Sequence, residues 1–125
     1  MGARTVPDAE LAVLEVLWER EHGATVREIV LALYGRHEHS LHGGVKSFLD
    51  RLMNKGLVNV DKQGFAHRFR ASITRSEFVG RELKLMAENH FGGALRPLLL
   101  SLVEQAKLTR KDRAVIQKLI ASIKE

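Results

Sequence analysis

A mainly helical fold with one small β-hairpin is predicted by three observations. Apolar residues recur at helical spacing in three successive segments before Gly56. The spacing then switches to alternation across residues 57–71. Beyond that, new capping signals restart helical periodicity to the end of the chain. Three helices followed by a two-stranded wing describe a winged helix-turn-helix, here extended by C-terminal helices.

The elements follow in order. Leu11, Leu14, Val16, Leu17 and Trp18 mark a helix over residues 7–22, with Pro7 in a first turn and Gly23 as its stop. Thr25 and Glu28 stand at capping-box spacing and open a second helix, whose apolar face is Val26, Ile29, Val30 and Leu33 and whose end is Gly35. Residues 36–42 are polar and histidine-rich, and read as a turn. A third helix starts near Gly43 or Gly44 and runs to Lys55, with Val45, Phe48, Leu49, Leu52 and Met53 inward and Gly56 just past its end. Leu57 to Val60 alternate as a strand, and Asp61, Lys62, Gln63 and Gly64 supply a turn. Residues 65–71 return as a second strand, with Phe65, His67 and Phe69 on one face. Thr74 and Glu77 form another capping box, opening a helix to about Asn89. Gly92 and Gly93 break it. Helices over residues 94–106 and from Thr109, a cap with Asp112 at the third position, complete the chain. The expected division is a winged DNA-binding domain over residues 1–72 and a helical dimerisation region over residues 73–125.

Composition narrows the function. The chain has 125 residues, no cysteine and a formal net charge of +5. Disulfides and thiolate metal sites are thereby excluded, and a reducing cytoplasm fits. No apolar run reaches the roughly 18 residues of a membrane span, and Met1 to Thr5 is too short for a signal peptide. Charge is unevenly placed. Residues 40–70 carry six Lys or Arg against two Asp, whereas residues 8–21 carry one Arg against five acids. A basic third helix and wing favour a polyanionic partner.

The candidate DNA contacts therefore lie on those two elements. On the third helix, Lys46 and Ser47 sit in the expected first turn, behind His42, Gly43 and Gly44, with Asp50, Arg51 and Lys55 further along the polar face. Arg51 can reach a phosphate or pair with an acid. Lys55 is placed as well to complement the helix dipole as to touch DNA. On the wing, Lys62, His67, Arg68 and Arg70 suit phosphate contact, which adds affinity without reading sequence. His37, His39 and His42 with Glu38 match no metal-binding spacing, and His42 is read as a neighbour of phosphate. No nucleophile–base pair or phosphate-cradling loop is visible, so neither an enzyme nor a cofactor is expected. A protein-interaction module on the same fold is the alternative to DNA binding. In the C-terminal region, Leu95, Leu98, Leu99, Leu102, Val103, Val115, Ile116, Leu119, Ile120 and Ile123 form more apolar surface than two short helices bury alone. A second copy of the chain is its expected cover.

Five segments in order carry a resemblance. These are ELAVLEVLW from Glu10 to Trp18, Thr25 to Ile29, Val45 to Val58, Ala66 to Phe69, and Leu102-Val103-Glu104 with Leu108-Thr109. They resemble the BlaI/MecI/CopY group of bacterial winged-helix repressors, known for controlling penicillinase genes. The resemblance implies a homodimer on a two-fold symmetric double-stranded operator, repressing by blocking transcription. It also implies a membrane-bound sensor protease as a partner, which triggers a cut near the C-terminal helices. The family's Asn-Phe cleavage pair aligns with Ser101 and Leu102, a departure from its pattern. The copper-sensing cysteines of one branch are missing. A glycine, Gly44, stands where the family usually has Thr.

Overall fold

In the computed structural model, which describes residues 6–105 and 107–122, the order is α1 (Asp8–Trp18), α2 (Val26–Tyr34), α3 (His39–Asn54), β1 (Val58–Asp61), β2 (Arg68–Ala71), α4 (Arg75–His90), α5 (Leu95–Gln105) and α6 (Arg110–Ser122). The architecture is a winged helix domain followed by C-terminal helices. The described residues fall into two compact units, which meet in sequence between Glu77 and Phe78.

In the first unit, α1, α2 and α3 pack on one another in all three pairings. Their inward stripes meet as Val13, Leu14 and Leu17 from α1, Ile29 and Val30 from α2, and Val45, Leu49 and Leu52 from α3. The wing closes this core with Leu57, Val58 and Phe69. β1 and β2 are antiparallel, in the register Val58↔Ala71, Asn59↔Arg70, Val60↔Phe69 and Asp61↔Arg68. On its other edge β2 gains a bridge to Ala24, whose amide donates to the Phe69 carbonyl at 2.9 Å and whose carbonyl accepts from the Phe69 amide at 2.8 Å. Gly23 makes that approach possible. Its φ is +76°, and a Cβ there would stand 2.5 Å from the Phe69 carbonyl oxygen. The Trp18 indole donates to the Ile73 carbonyl at 2.9 Å, tying the end of α1 to the exit of the wing.

All three expected caps form. The Thr25 hydroxyl accepts from the Glu28 amide and the Glu28 carboxylate accepts from the Thr25 amide; Thr74 with Glu77 and Thr109 with Asp112 repeat the arrangement. Hydrogen bonding lowers the Glu28 pKa, led by the Thr25 amide and helped by Arg68 and Arg20 against desolvation. Pro97 falls in the first turn of α5, where its missing N–H leaves no bond unmade.

Three boundaries differ from the sequence reading. α1 stops at Trp18 rather than near His22, because the amides of Glu19 and Arg20 bond back three residues, to Val16 and Leu17, and tighten the turn. α3 begins at His39, not at Gly43 or Gly44: the His42 amide already donates to the Glu38 carbonyl at 2.9 Å. The polar histidine segment hid this first turn, although Leu41 precedes Val45 at helical spacing. The second wing strand is shorter than residues 65–71. Pairing ends at Asp61↔Arg68, where the Asp61 carboxylate accepts from the Gln63 amide at 2.9 Å and starts a turn. Phe65 and His67 are consequently outside the ladder and exposed, and only Phe69 of the expected apolar face is buried.

In the second unit α5 and α6 pack together. The amides of Phe91 and Gly93 both bond to the Ala87 carbonyl and close α4, with Gly92 and Gly93 at positive φ.

Candidate nucleic-acid interface

The earlier start of α3 moves the candidate reading residues along the helix. Gly43 and Gly44 lie in its second turn rather than at its opening, and Lys46 and Ser47 follow at mid-helix rather than in the first turn. A Cβ at either glycine would meet nothing within 4 Å. Neither has a positive φ. The fold itself therefore has no use for the missing side chains, although each helical glycine costs about 1 kcal/mol relative to alanine. Lys46 donates to Asp50 at 2.7 Å, an exposed i,i+4 pair that binding can reopen at little cost. Asp50 is thus taken by Lys46 and not by Arg51, whose guanidinium instead lies 5.9 Å from the centre of the Phe48 ring. Ser47 is half-buried.

Two expected cations turn toward the protein. Lys55 donates to the Glu10 carboxylate at 2.6 Å. Glu10 is only 3% exposed, so this pair joins the start of α1 to the end of α3 and keeps a buried charge compensated. Arg68 donates from Nε to the His22 carbonyl at 3.2 Å and from one terminal nitrogen to the Gly23 carbonyl at 3.0 Å, and it pairs with Glu28 at 3.3 Å. It braces the wing against the turn between α1 and α2. Lys62, His67 and Arg70 are exposed on the wing.

α3 and the wing lie side by side. The Lys46 ammonium is 6.0 Å from the centre of the Phe69 ring. Between them runs a groove of about 400 Å³, lined by Thr25, Val26, Arg27, His42, Lys46, Phe65, Ala66, His67 and Phe69. No carboxylate lines it. Arg27, Phe65 and the start of α2 were not among the residues expected from sequence. An aromatic at the start of the expected second strand and an arginine in a capped first turn were the available signals.

At the edge of this groove His37 and His42 share a hydrogen bond of 2.9 Å, with their rings edge-on at 5.1 Å between centres. Arg27 stands 3.4 Å from His37 Nδ1. A guanidinium only donates, so His37 Nδ1 accepts, His37 Nε2–H donates to His42 Nδ1, and the His42 Nε2–H is left for an outside acceptor. Desolvation, then the Arg27 charge, holds the His37 imidazole below its ordinary value. The unfolded chain binds this proton more readily, so stability rises with pH between the lowered value and the ordinary one of about 6.5. An NMR titration of the ring protons is expected to place the His37 midpoint below 6.5, and Arg27→Ala to raise it. A midpoint at or above the ordinary value would contradict the neutral chain of donors.

The C-terminal candidates are distributed over α5 and α6. Leu98 is buried, while Leu99, Val103 and Ile116 are half-buried. Leu95, Leu102 and Val115 are exposed. Leu119 and Ile120 belong to α6, and Ile123 lies outside the described residues. An apolar groove of about 450 Å³ runs between α4 and α5, lined chiefly by Leu83, Leu95, Leu98 and Leu99. Ser101 and Leu102 are consecutive residues within α5. Among the described residues no cluster of three metal-ligating side chains occurs, and no helix is long and apolar enough to cross a membrane.

Comparison with known proteins agrees with this architecture. Residues 6–122 match the family model described as penicillinase repressor. The chain is 31% identical over 106 residues to proteins named transcriptional regulator BlaI from two Mycobacterium tuberculosis strains, covering 84% of this chain and 76% of theirs. It is 23% identical over 107 residues to the penicillinase repressor of Bacillus licheniformis, covering 86% of this chain and 82% of that one. The chain belongs to the penicillinase repressor family, a family of transcriptional repressors and not of enzymes.

Proposed function

We propose that the chain represses transcription by binding, as a homodimer, a double-stranded operator with two-fold symmetry. The observation that carries this reading is the adjacency of α3 and the wing, which gathers Lys46, His42 and His67 around one groove free of acids. α3 enters the major groove, with Lys46 and Ser47 at base edges and Arg51 and Asp50 bordering them. Gly43 and Gly44 allow a DNA strand to approach the helix closely, a use that the protein's own packing does not supply. Lys62, His67 and Arg70 hold phosphates from the wing, and His42 offers its outer N–H to another. Lys55 and Arg68 act mainly from behind, by fixing α3 to α1 and the wing to the turn after α1.

The exposed leucines of α5 and the groove between α4 and α5 support a dimer built by the second unit. The resemblance adds induction through a sensor protease that triggers a cut near the C-terminal helices, where Ser101-Leu102 stands in place of the family's Asn-Phe pair. That bond lies inside a helix, so the turn must open before a protease can reach it.

Lys46→Ala tests the reading most directly. An operator selected from random duplexes is titrated with the wild-type protein and the variant at two salt concentrations. The variant is expected to lose about 1–3 kcal/mol and to relax preference at one base position per half-site. Binding of wild-type protein that does not weaken with added salt, or an unaffected variant, would count against DNA recognition by this face. Absence of any DNA binding would favour a protein-interaction module.

A further inference from the structure

Phe65 is fully exposed beside the groove between α3 and the wing, and no described residue of the unit covers it. An aromatic left in water forgoes the stabilisation that burial gives. Its surroundings indicate what would cover it. The groove is apolar along Val26, Phe65 and Phe69 and cationic at Arg27 and Lys46, and His42 also lines it. The first turn of α2 adds the positive end of a capped helix. A purely apolar partner would strand these cations, and a bare anion would leave the aromatic uncovered. A deoxyribose flanked by phosphates offers the matching alternation of apolar and anionic groups. The Lys46–Asp50 pair does not oppose this, because an exposed pair of that kind is weak.

We infer that this groove is a clasp for the sugar–phosphate backbone of one DNA strand, with Phe65 packed on a deoxyribose and Arg27 and the outer His42 N–H on the phosphates either side, while Lys46 keeps its place at a base edge. The inference rests on the DNA-binding reading above and adds to it two residues, Phe65 and Arg27, and a mode of contact. The strand that separates the major groove, taken by α3, from the next minor groove passes between helix and wing. The clasp therefore contributes affinity that does not depend on sequence.

An apolar contact and an ionic one separate by salt dependence. Each phosphate contact releases counterions and steepens the salt slope by about 0.9, whereas covering an aromatic releases none. Full-length protein is titrated by fluorescence anisotropy against the selected operator and a random duplex of roughly 30 base pairs, long enough for two half-sites. Phe65→Ala is expected to weaken both duplexes roughly tenfold with an unchanged slope, and Phe65→Trp to keep wild-type affinity. Arg27→Ala is expected to weaken both and to lower the slope by about one per subunit bound. Because no described residue covers Phe65, Phe65→Ala keeps the wild-type circular dichroism and unfolding midpoint, so a loss of binding is not a loss of fold. Wild-type affinity in Phe65→Ala overturns the clasp while leaving the DNA reading intact. So does a loss confined to the operator. A change in sedimentation with Phe65→Ala would make the aromatic an interface between copies and equally overturn it. Failure of the wild-type protein to bind either duplex removes the DNA reading itself.

Discussion

Phe69→Ala is expected to destabilise the protein by about 3–5 kcal/mol in urea-induced unfolding. The ring is 1% exposed and is among the largest fully buried side chains. Its backbone is held on both sides, by Ala24 on one edge and by Val60 across the hairpin. Truncation therefore leaves a cavity that the surrounding chain cannot collapse to fill. Since native domains are stable by only about 5–15 kcal/mol, the loss is a large share of the total. Phe69→Leu keeps most of the volume and should fall between the two. Lys46 lies over this ring, so the alanine variant should also loosen the groove and weaken DNA binding at temperatures where it stays folded. A loss below about 1 kcal/mol would mean that the wing is anchored elsewhere than at Phe69, outside the range expected for a buried aromatic.

What was legible in the sequence was local. The capping boxes at Thr25, Thr74 and Thr109 pair residues three apart, and each forms as read. The stripes of α1, α2 and α3 state which face is buried, and the switch to alternation at Leu57 announces the wing. What failed was either masked or remote. The first turn of α3 is built from polar residues, and its hydrogen bonds leave no trace in apolar periodicity. Alternation alone extended β2 back to Phe65, while a single side chain, Asp61, ends the pairing four residues earlier in the partner strand's turn. Lys55 and Arg68 find their partners 40 to 46 residues away in the chain, so charge and position could not say that they face the protein. The groove was invisible for the same reason: Arg27, Lys46 and Phe65 come from three elements that only the tertiary fold brings together.

A chain ending at Asn89 is expected to remain folded, to sediment as a monomer, and to bind the operator roughly 10²–10⁴-fold more weakly than the full chain. The folded state should survive because the winged unit is compact by itself, with its core drawn from Val13 to Ile73. Removing α5 and α6 takes away Leu95, Leu102 and Val115, exposed apolar residues proposed to face a second copy. A single winged unit then meets one half-site with few base and phosphate contacts. In the dimer, binding of one unit tethers the second beside its own half-site, and that effective concentration is what truncation forfeits. The salt dependence gives a second readout. Two units neutralise twice the phosphates of one, so the slope of log affinity against log salt should fall by about half in the fragment. Velocity sedimentation and anisotropy titration on the same samples separate the two effects. A fragment that stays dimeric at micromolar concentration would place the interface within the winged unit. A monomeric fragment with full operator affinity would show instead that one unit suffices, and that a cut at Ser101-Leu102 could not release the operator by separating the subunits.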